Sequence, residues 1–398
     1  MNEKIDLVIL AGGKGSRIKK FLKNKPKPLA IFNKKYFLSY IINNLSKYNF
    51  ENIYILTKYK SQKIFKIYHK KNKNFTKITC LKEKKFMDTA GALNVLKKKV
   101  NDFVLVNGDT IFDIDIIQLI KTQKKNYLGV MSVIKKNIND NKLNNIKLTN
   151  NNIINFSKKN NLTNGGVYFF KKRILKYIPN KICSLENDIL NKLIKENKIL
   201  GKKFNNFFID IGTKDNFAIA KKRLKNYFYR PAAFLDRDGV INYENGYISN
   251  FKKFRFKNGV IKGLKYLIKK NYYIFIVTNQ AGIAKNKITI RNFFKLHKKI
   301  KRFLQKKNIF INDIQYCPYH PQAVIKSYKK NSNFRKPGNL MIKKIIKNWD
   351  INLSKSFMIG DKKTDEICAK KSNILFEYAK NNFFFQIKRL TSTINSCS

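Results

Sequence analysis

Residues 231–239 read Pro-Ala-Ala-Phe-Leu-Asp-Arg-Asp-Gly, an apolar run cut off at two carboxylates, Asp236 and Asp238. A run of that kind is a buried strand that ends in a polar loop. The same pattern stands near the amino terminus, where residues 6–17 read Asp-Leu-Val-Ile-Leu-Ala-Gly-Gly-Lys-Gly-Ser-Arg. In open α/β sheets, ligands collect beyond the carboxyl ends of strands. Each stretch therefore marks the heart of one α/β sheet and the place where its chemistry belongs.

Outward from these two anchors, strand-like and helix-like stretches alternate, which predicts parallel, doubly wound sheets. Apolar runs at 5–11, 53–57, 103–107 and 127–133 form a first series, and 232–236, 273–278, 313–317 and 356–360 a second. Between 37 and 48, Leu38, Ile41, Ile42 and Leu45 recur at helical spacing. A basic helix-like segment, 215–229, separates the two series and ends at Arg230-Pro231. The expected domains are 1–228 and 229–398, both α/β.

The 398 residues suit two domains, and a hydrophobic content of 43% is enough for two cores. The formal charge is +61. Such a charge ordinarily points to nucleic acid, but here the cations are mostly Lys and lie along the whole chain. Lys, Asn, Ile, Phe and Tyr are all abundant, and their codons are rich in A and T. Coding bias accounts for the charge, so no specific nucleic-acid partner is expected. The five cysteines follow no framework spacing, which suits a reducing compartment. No apolar run has membrane-spanning length, so a cytoplasmic protein with no membrane partner is expected.

The glycine-rich turn can bring backbone N–H groups close to phosphate. Arg17, together with Lys27 of Pro26-Lys27-Pro28, adds fixed positive charge. This combination resembles the signature of the sugar-1-phosphate nucleotidylyltransferases. Further elements follow in that family's order: Val104 to Asp109, Asn164-Gly-Gly166-Val-Tyr168, Ser184-Leu-Glu186 and Phe208 to Thr213. The resemblance covers about residues 3–225 and implies a Rossmann-like, glycosyltransferase A-like domain. It implies that Ala11, Gly12, Gly13, Gly15, Ser16, Thr89 and Gly91 meet the nucleotide. Gly166 and Glu186 would face the sugar, and Asp109 and Asp210 would hold Mg²⁺. Arg17 and Lys27 would steady the phosphates during attack of a sugar-1-phosphate oxygen on the α-phosphorus, with release of pyrophosphate. Alone, Asp109 reads more often as a helix cap and Asp210 as a turn former; the cradle beside them tips both toward catalysis. The chain departs from the family at Met87-Asp88, where Leu-Gly usually precedes Thr-Ala-Gly. That leaves the nucleobase open.

Two carboxylates two residues apart suit a nucleophile and a general acid/base. Asp236-Arg-Asp238-Gly-Val resembles the first motif of the haloacid dehalogenase superfamily. Thr278, Lys336 and Asp361 (followed by Asp365) fall at plausible positions for its other motifs. The resemblance gives catalytic roles to Asp236, Asp238 and Lys336, and places a second Mg²⁺ at Asp236, Asp238 and Asp361. About forty residues separate Asp238 from Thr278, which leaves no room for a large cap. Thr-Asn-Gln-Ala-Gly-Ile-Ala, Cys-Pro-Tyr-His-Pro and Arg-Lys-Pro look like the heptose-bisphosphate phosphatase and histidinol-phosphatase branch. On that likeness Asn279, Gln280, Lys285 and Arg335 would surround substrate. Cys317 and His320 match half of that branch's zinc set, but Ser332 and Phe334 stand where further ligands would be, so zinc is not expected. His69 and His297 lie in lysine-rich helical stretches and read as surface residues.

Together the resemblances imply consecutive steps of nucleotide-activated heptose synthesis, with sugar phosphates and a nucleoside triphosphate as partners. Transfer to another hexose 1-phosphate joined to a histidinol phosphatase is the alternative within enzymes. A basic nucleic-acid-binding protein with degenerate catalytic domains is the alternative outside them.

Overall fold

A computed structural model describes residues 4–22, 24–135, 146–149, 152–156 and 161–396. The chain divides into two compact units, residues 1–44 with 50–224 and residues 45–49 with 225–398. Among the described residues, no helix is long and apolar enough to cross a membrane.

The first unit is built on a ten-stranded sheet. At its centre, Asp102–Asn107, Ile5–Leu10, Asn52–Thr57 and Thr76–Lys82 lie side by side and parallel. Thr76–Lys82 alternates buried with more exposed positions, whereas the interior residues of the other three are almost wholly apolar and buried. The exception is Asp6, fully buried. Its carboxylate accepts the backbone and side-chain N–H groups of Asn52 at 3.0 and 2.9 Å and of Asn101 at 2.8 and 3.0 Å. Four donors satisfy the buried charge and tie three neighbouring strands together at their amino ends. The sheet is not parallel throughout, as the alternation of elements had suggested. Leu162–Phe170 runs antiparallel to both Asp102–Asn107 and Gly129–Lys135. Alternation constrains neighbouring elements in sequence, whereas strand direction follows from how the later strands return to the sheet.

The second unit carries five strands, all parallel, in the order Asp313–Cys317, Tyr273–Asn279, Ala232–Leu235, Phe357–Gly360, Leu375–Tyr378. Strand order reverses beside the first strand in sequence, Ala232–Leu235, which opens a crevice at its carboxyl end. Helix Ile290–Lys306 corrects the reading of His297 as a surface residue. Phe293, Leu296, His297, Ile300 and Leu304 share the buried face, and His297 is fully enclosed. Its Nδ1 lies 2.9 Å from the Phe293 carbonyl, and burial pushes its pKa down to about 3. Of the lysines around it, Lys295 and Lys299 are exposed, whereas Lys301 is buried on the same face.

Candidate active sites

In the first unit, Leu10 and Asn107 are register partners at the carboxyl ends of adjacent parallel strands. The chain continues from them into Gly12 to Ser16 and into Gly108-Asp109, the two walls of a cavity of about 460 Å³. Gly15 has φ +68°, and a Cβ there would meet Leu22 Cδ1 at 2.9 Å and Lys27 Cβ at 3.1 Å. Only glycine makes this turn without strain.

Across the cavity Lys27, buried, forms an ion pair with Asp109. The short strand Phe208–Asp210 runs antiparallel to Thr110–Phe112 with Asp210 opposite Thr110, which draws Asp210 beside Asp109. The Ile211 N–H donates to the Asp109 carbonyl at 3.1 Å, and the Gly212 N–H donates to the Asp210 carboxylate. Burial pushes the Asp210 pKa up to about 6; the Asp109 charge adds to this, and Lys27 and Arg17 oppose it. Two adjacent carboxylates, whose like charges repel each other, suit a divalent cation with oxygen ligands.

Thr89 Oγ1 donates to Glu186 Oε2 at 3.1 Å and accepts the Leu185 N–H at 2.7 Å, and burial raises the Glu186 pKa. These residues close the cavity's third side. Other residues expected at the nucleotide lie outside the lining. Arg17 is exposed, and Ala11 is buried with its N–H on the Leu56 carbonyl at 2.8 Å. Gly91 is buried with its N–H on the Cys183 carbonyl at 3.1 Å, and a Cβ there would strike Met87 Cβ at 2.8 Å. Gly166 has φ +71° where Leu162–Phe170 bulges, 3.2 Å from Asn107 Nδ2 by its would-be Cβ.

The second unit gathers Asp236, Thr278 and Asp361 at the carboxyl ends of its three central strands. Lys336 Nζ reaches Asp236 Oδ2 at 2.9 Å and the Val277 carbonyl at 2.9 Å, and pairs with Asp365. Burial pushes the Asp236 pKa up to about 7 against the pull of Lys336, with Asp365 adding to the rise. Asp236, Asp361 and Asp365 offer oxygens within 4.8 Å of one another. Asp361 Oδ1 is buried without a hydrogen-bond partner. An orphaned carboxylate oxygen facing two more carboxylates fits Mg²⁺, a hard cation that takes oxygen ligands. Asp238 accepts from Arg237, Asn242 and Gln280.

The sequence model of the family described as nucleotidyl transferase matches residues 7–226. The chain belongs to the nucleotidyl transferase family. The family described as polynucleotide kinase 3 phosphatase matches residues 235–387. Among curated proteins, a D-glycero-beta-D-manno-heptose-1,7-bisphosphate 7-phosphatase of Rhodopseudomonas palustris is 37% identical over 145 residues, 36% of this chain and 81% of its own. The protein of the same name from Escherichia coli K12 is 35% identical over 144 residues, 36% of this chain and 75% of its own. The crystal structure of HddC from Yersinia pseudotuberculosis, 24% identical, overlaps 55% of this chain and 99% of its own at TM-score 0.48. The chain joins a nucleotidyl transferase to a phosphatase of the haloacid dehalogenase type.

In this nucleotidyl transferase the family's usual glycine before Thr89 is replaced by Asp88, which keeps the glycine-like backbone at φ +58°. Its Oδ1 accepts the Thr89 N–H at 2.7 Å, a local bond that supports the left-handed turn. Sequence reasoning passed over Glu83, buried and lining the cavity beside Gly12. The signal was a carboxylate at the end of strand Thr76–Lys82, hidden among lysines. It also left Asp365 and Arg237 without roles. Asn279, expected at substrate, spends its amide on the Lys336 backbone, donating to the carbonyl and accepting the N–H, both at 3.0 Å. Arg335 is half-buried, with Nη1 lacking a partner. Cys317 is buried, with Sγ 3.9 Å from the Tyr319 carbonyl, and His320 Nδ1 accepts the Gln322 N–H at 3.1 Å.

Proposed function

We propose that the protein carries out two consecutive steps of nucleotide-activated heptose synthesis. Residues 229–398 remove the 7-phosphate of D-glycero-D-manno-heptose 1,7-bisphosphate, and residues 1–228 transfer a guanylyl group to the heptose 1-phosphate. The observation that carries the first step is the Asp236–Lys336–Asp365 knot beside Asp361, in a domain 37% identical to a 7-phosphatase of that substrate. Asp236 attacks the phosphorus while Asp238 protonates the departing sugar oxygen. Asp238 then takes a proton from water, whose oxygen attacks the aspartyl-phosphate and frees inorganic phosphate. Lys336 neutralises the nucleophile's charge, Thr278 and Arg335 face the phosphate, and Mg²⁺ at Asp236, Asp361 and Asp365 would offset charge on the transferring group.

In the first domain a sugar-1-phosphate oxygen attacks the α-phosphorus of the triphosphate, and pyrophosphate leaves. Gly12 to Ser16 cradle the phosphates, Lys27 and Arg17 balance their charge, and Glu186 holds the sugar. Asp109 and Asp210 would hold Mg²⁺ against the same oxygens. Guanine is favoured by Glu83. An ionised carboxylate only accepts hydrogen bonds, and guanine is the common base whose pairing edge offers two adjacent N–H donors. The deciding experiment incubates the protein with heptose 1,7-bisphosphate, Mg²⁺ and each nucleoside triphosphate in turn and identifies the product by mass. GDP-heptose with one phosphate and one pyrophosphate per turnover is expected. Turnover of histidinol phosphate in preference to the bisphosphate refutes the heptose reading.

A further inference from the structure

Donors enclose the Asp238 carboxylate. Its Oδ1 accepts from Arg237 Nε at 3.1 Å, Arg237 Nη2 at 2.8 Å and Asn242 Nδ2 at 3.0 Å. Its Oδ2 accepts from Arg237 Nη2 at 2.7 Å and Gln280 Nε2 at 3.0 Å. Arg237 is only 2% exposed and Gln280 4%. Their donors are directed at Asp238 and Thr278, so they act on a substrate through what they hold. Gln280 had been expected to touch substrate. Its Nε2 is instead shared between Asp238 and Thr278 Oγ1, the latter at 2.9 Å, so one amide ties the acid/base carboxylate to the hydroxyl that faces phosphate.

The other holds are equally specific. The Arg237 guanidinium approaches the Phe293 ring at 6.0 Å and meets the carboxylate with a planar fork that a lysine cannot reproduce. Asn242 is fixed by its own loop, where the Ile241 and Asn242 N–H groups both donate to the Arg237 carbonyl at 2.8 and 3.1 Å. An unrestrained aspartate rotates about two side-chain torsions, and proton transfer needs it within hydrogen-bond reach of the leaving oxygen. We infer that Arg237 and Gln280 are positioning residues that aim Asp238 at the leaving group. The inference rests on the reading of Asp238 as the acid.

The test uses full-length Gln280→Leu, Arg237→Lys and Asp238→Asn proteins, with folding checked by circular dichroism. For each, the rate at which the leaving group departs in a single turnover, before water attacks the aspartyl-phosphate, is measured on phosphate monoesters ranging from p-nitrophenyl phosphate, whose phenolate leaves unaided, to heptose 1,7-bisphosphate, whose alkoxide needs a proton. For Gln280→Leu, single-turnover release of the leaving group from the bisphosphate should slow about 10- to 100-fold with KM changed less than about threefold, and release of p-nitrophenolate should stay within about threefold. Arg237→Lys should show the same leaving-group selectivity. Equal losses on both esters, or a loss carried by KM, overturn the inference. Should Arg237→Lys fail to fold, Gln280→Leu, close to glutamine in volume, decides alone. If Asp238→Asn itself lacks the selectivity, the acid reading fails. If Asp238→Asn alone has it, only the positioning role fails.

Discussion

At the scale of single residues, burial raises the pKa of Glu83 and of Asp236, and each carboxylate has its own test. Glu83→Gln replaces one acceptor oxygen with a donor amide, which opposes guanine's donor pair and suits a base with a donor flanked by acceptors. The ratio of kcat/KM for GTP over UTP should drop by about 10-fold or more, consistent with 1–3 kcal/mol per well-placed polar pair. An unchanged ratio would show that Glu83 does not read the base. Asp236 titrates near 7 in the folded protein, against an ordinary value of 3.8. Between those values the folded state keeps a proton that the unfolded chain has released. Its contribution to stability is therefore present below about 4 and is lost as pH rises through about 7. In EDTA, Asp236→Asn should gain melting temperature relative to wild type as pH rises across that window, and Mg²⁺ should restore the wild type at the upper end. A constant difference between the two proteins would contradict the raised value. Both carboxylates could be seen in the sequence, but their environment could not. Asp236 stood out because it ends an apolar run. Glu83 did not, because only the return of strand Thr76–Lys82 beside Gly12 makes it part of a cavity wall. His297 was misjudged because lysines dominate its helix, although Phe293, Leu296, Ile300 and Leu304 recur at helical spacing and mark the face that encloses it.

At the scale of elements, both sites are made by the ends of strands and by what the turns after them can do. The central strands that lead into the two sites were legible because their interiors are continuous apolar runs, as parallel strands buried on both faces must be, whereas Thr76–Lys82, with Lys77 and Thr79 in its run, was not. The direction of Leu162–Phe170 was not, because an apolar run reads the same either way along a sheet. Nor was the pairing of Phe208–Asp210 with Thr110–Phe112, which sets Asp210 beside Asp109 across about a hundred residues of chain. The turn after Ile5–Leu10 could be read from its glycines, and it gives an element-level test. Gly15→Ala imposes a left-handed backbone costing about 1–2 kcal/mol and crowds Leu22 and Lys27. Pyrophosphate release should fall by about 10-fold or more through displacement of Lys27, while phosphate release from the bisphosphate stays unchanged. Loss of both activities together would mean that the substitution unfolds the chain and says nothing particular to the cradle.

At the scale of the whole molecule, a nucleotidyl transferase and a phosphatase on one chain raise the question of what joining them achieves. A tether raises the local concentration of an intermediate only modestly when that intermediate is free to diffuse away. Asp236→Asn should lower phosphate release more than about 1000-fold and leave transfer to supplied sugar 1-phosphate intact, and Asp109→Asn should do the reverse. Mixing the two variants in equal amounts then separates the possibilities. If heptose 1-phosphate diffuses between sites, the mixture makes sugar nucleotide from bisphosphate at about half the wild-type rate for the same total protein, because each working site is at half concentration. If the intermediate passes within one chain, the mixture falls well below half, and added unlabelled heptose 1-phosphate fails to dilute label supplied as bisphosphate in the wild type. The half-rate outcome is expected, since each unit carries its own cavity or carboxylate cluster lined by its own residues. Joining the two then fixes their production at one to one, which matters most when the phosphatase product is the transferase's substrate.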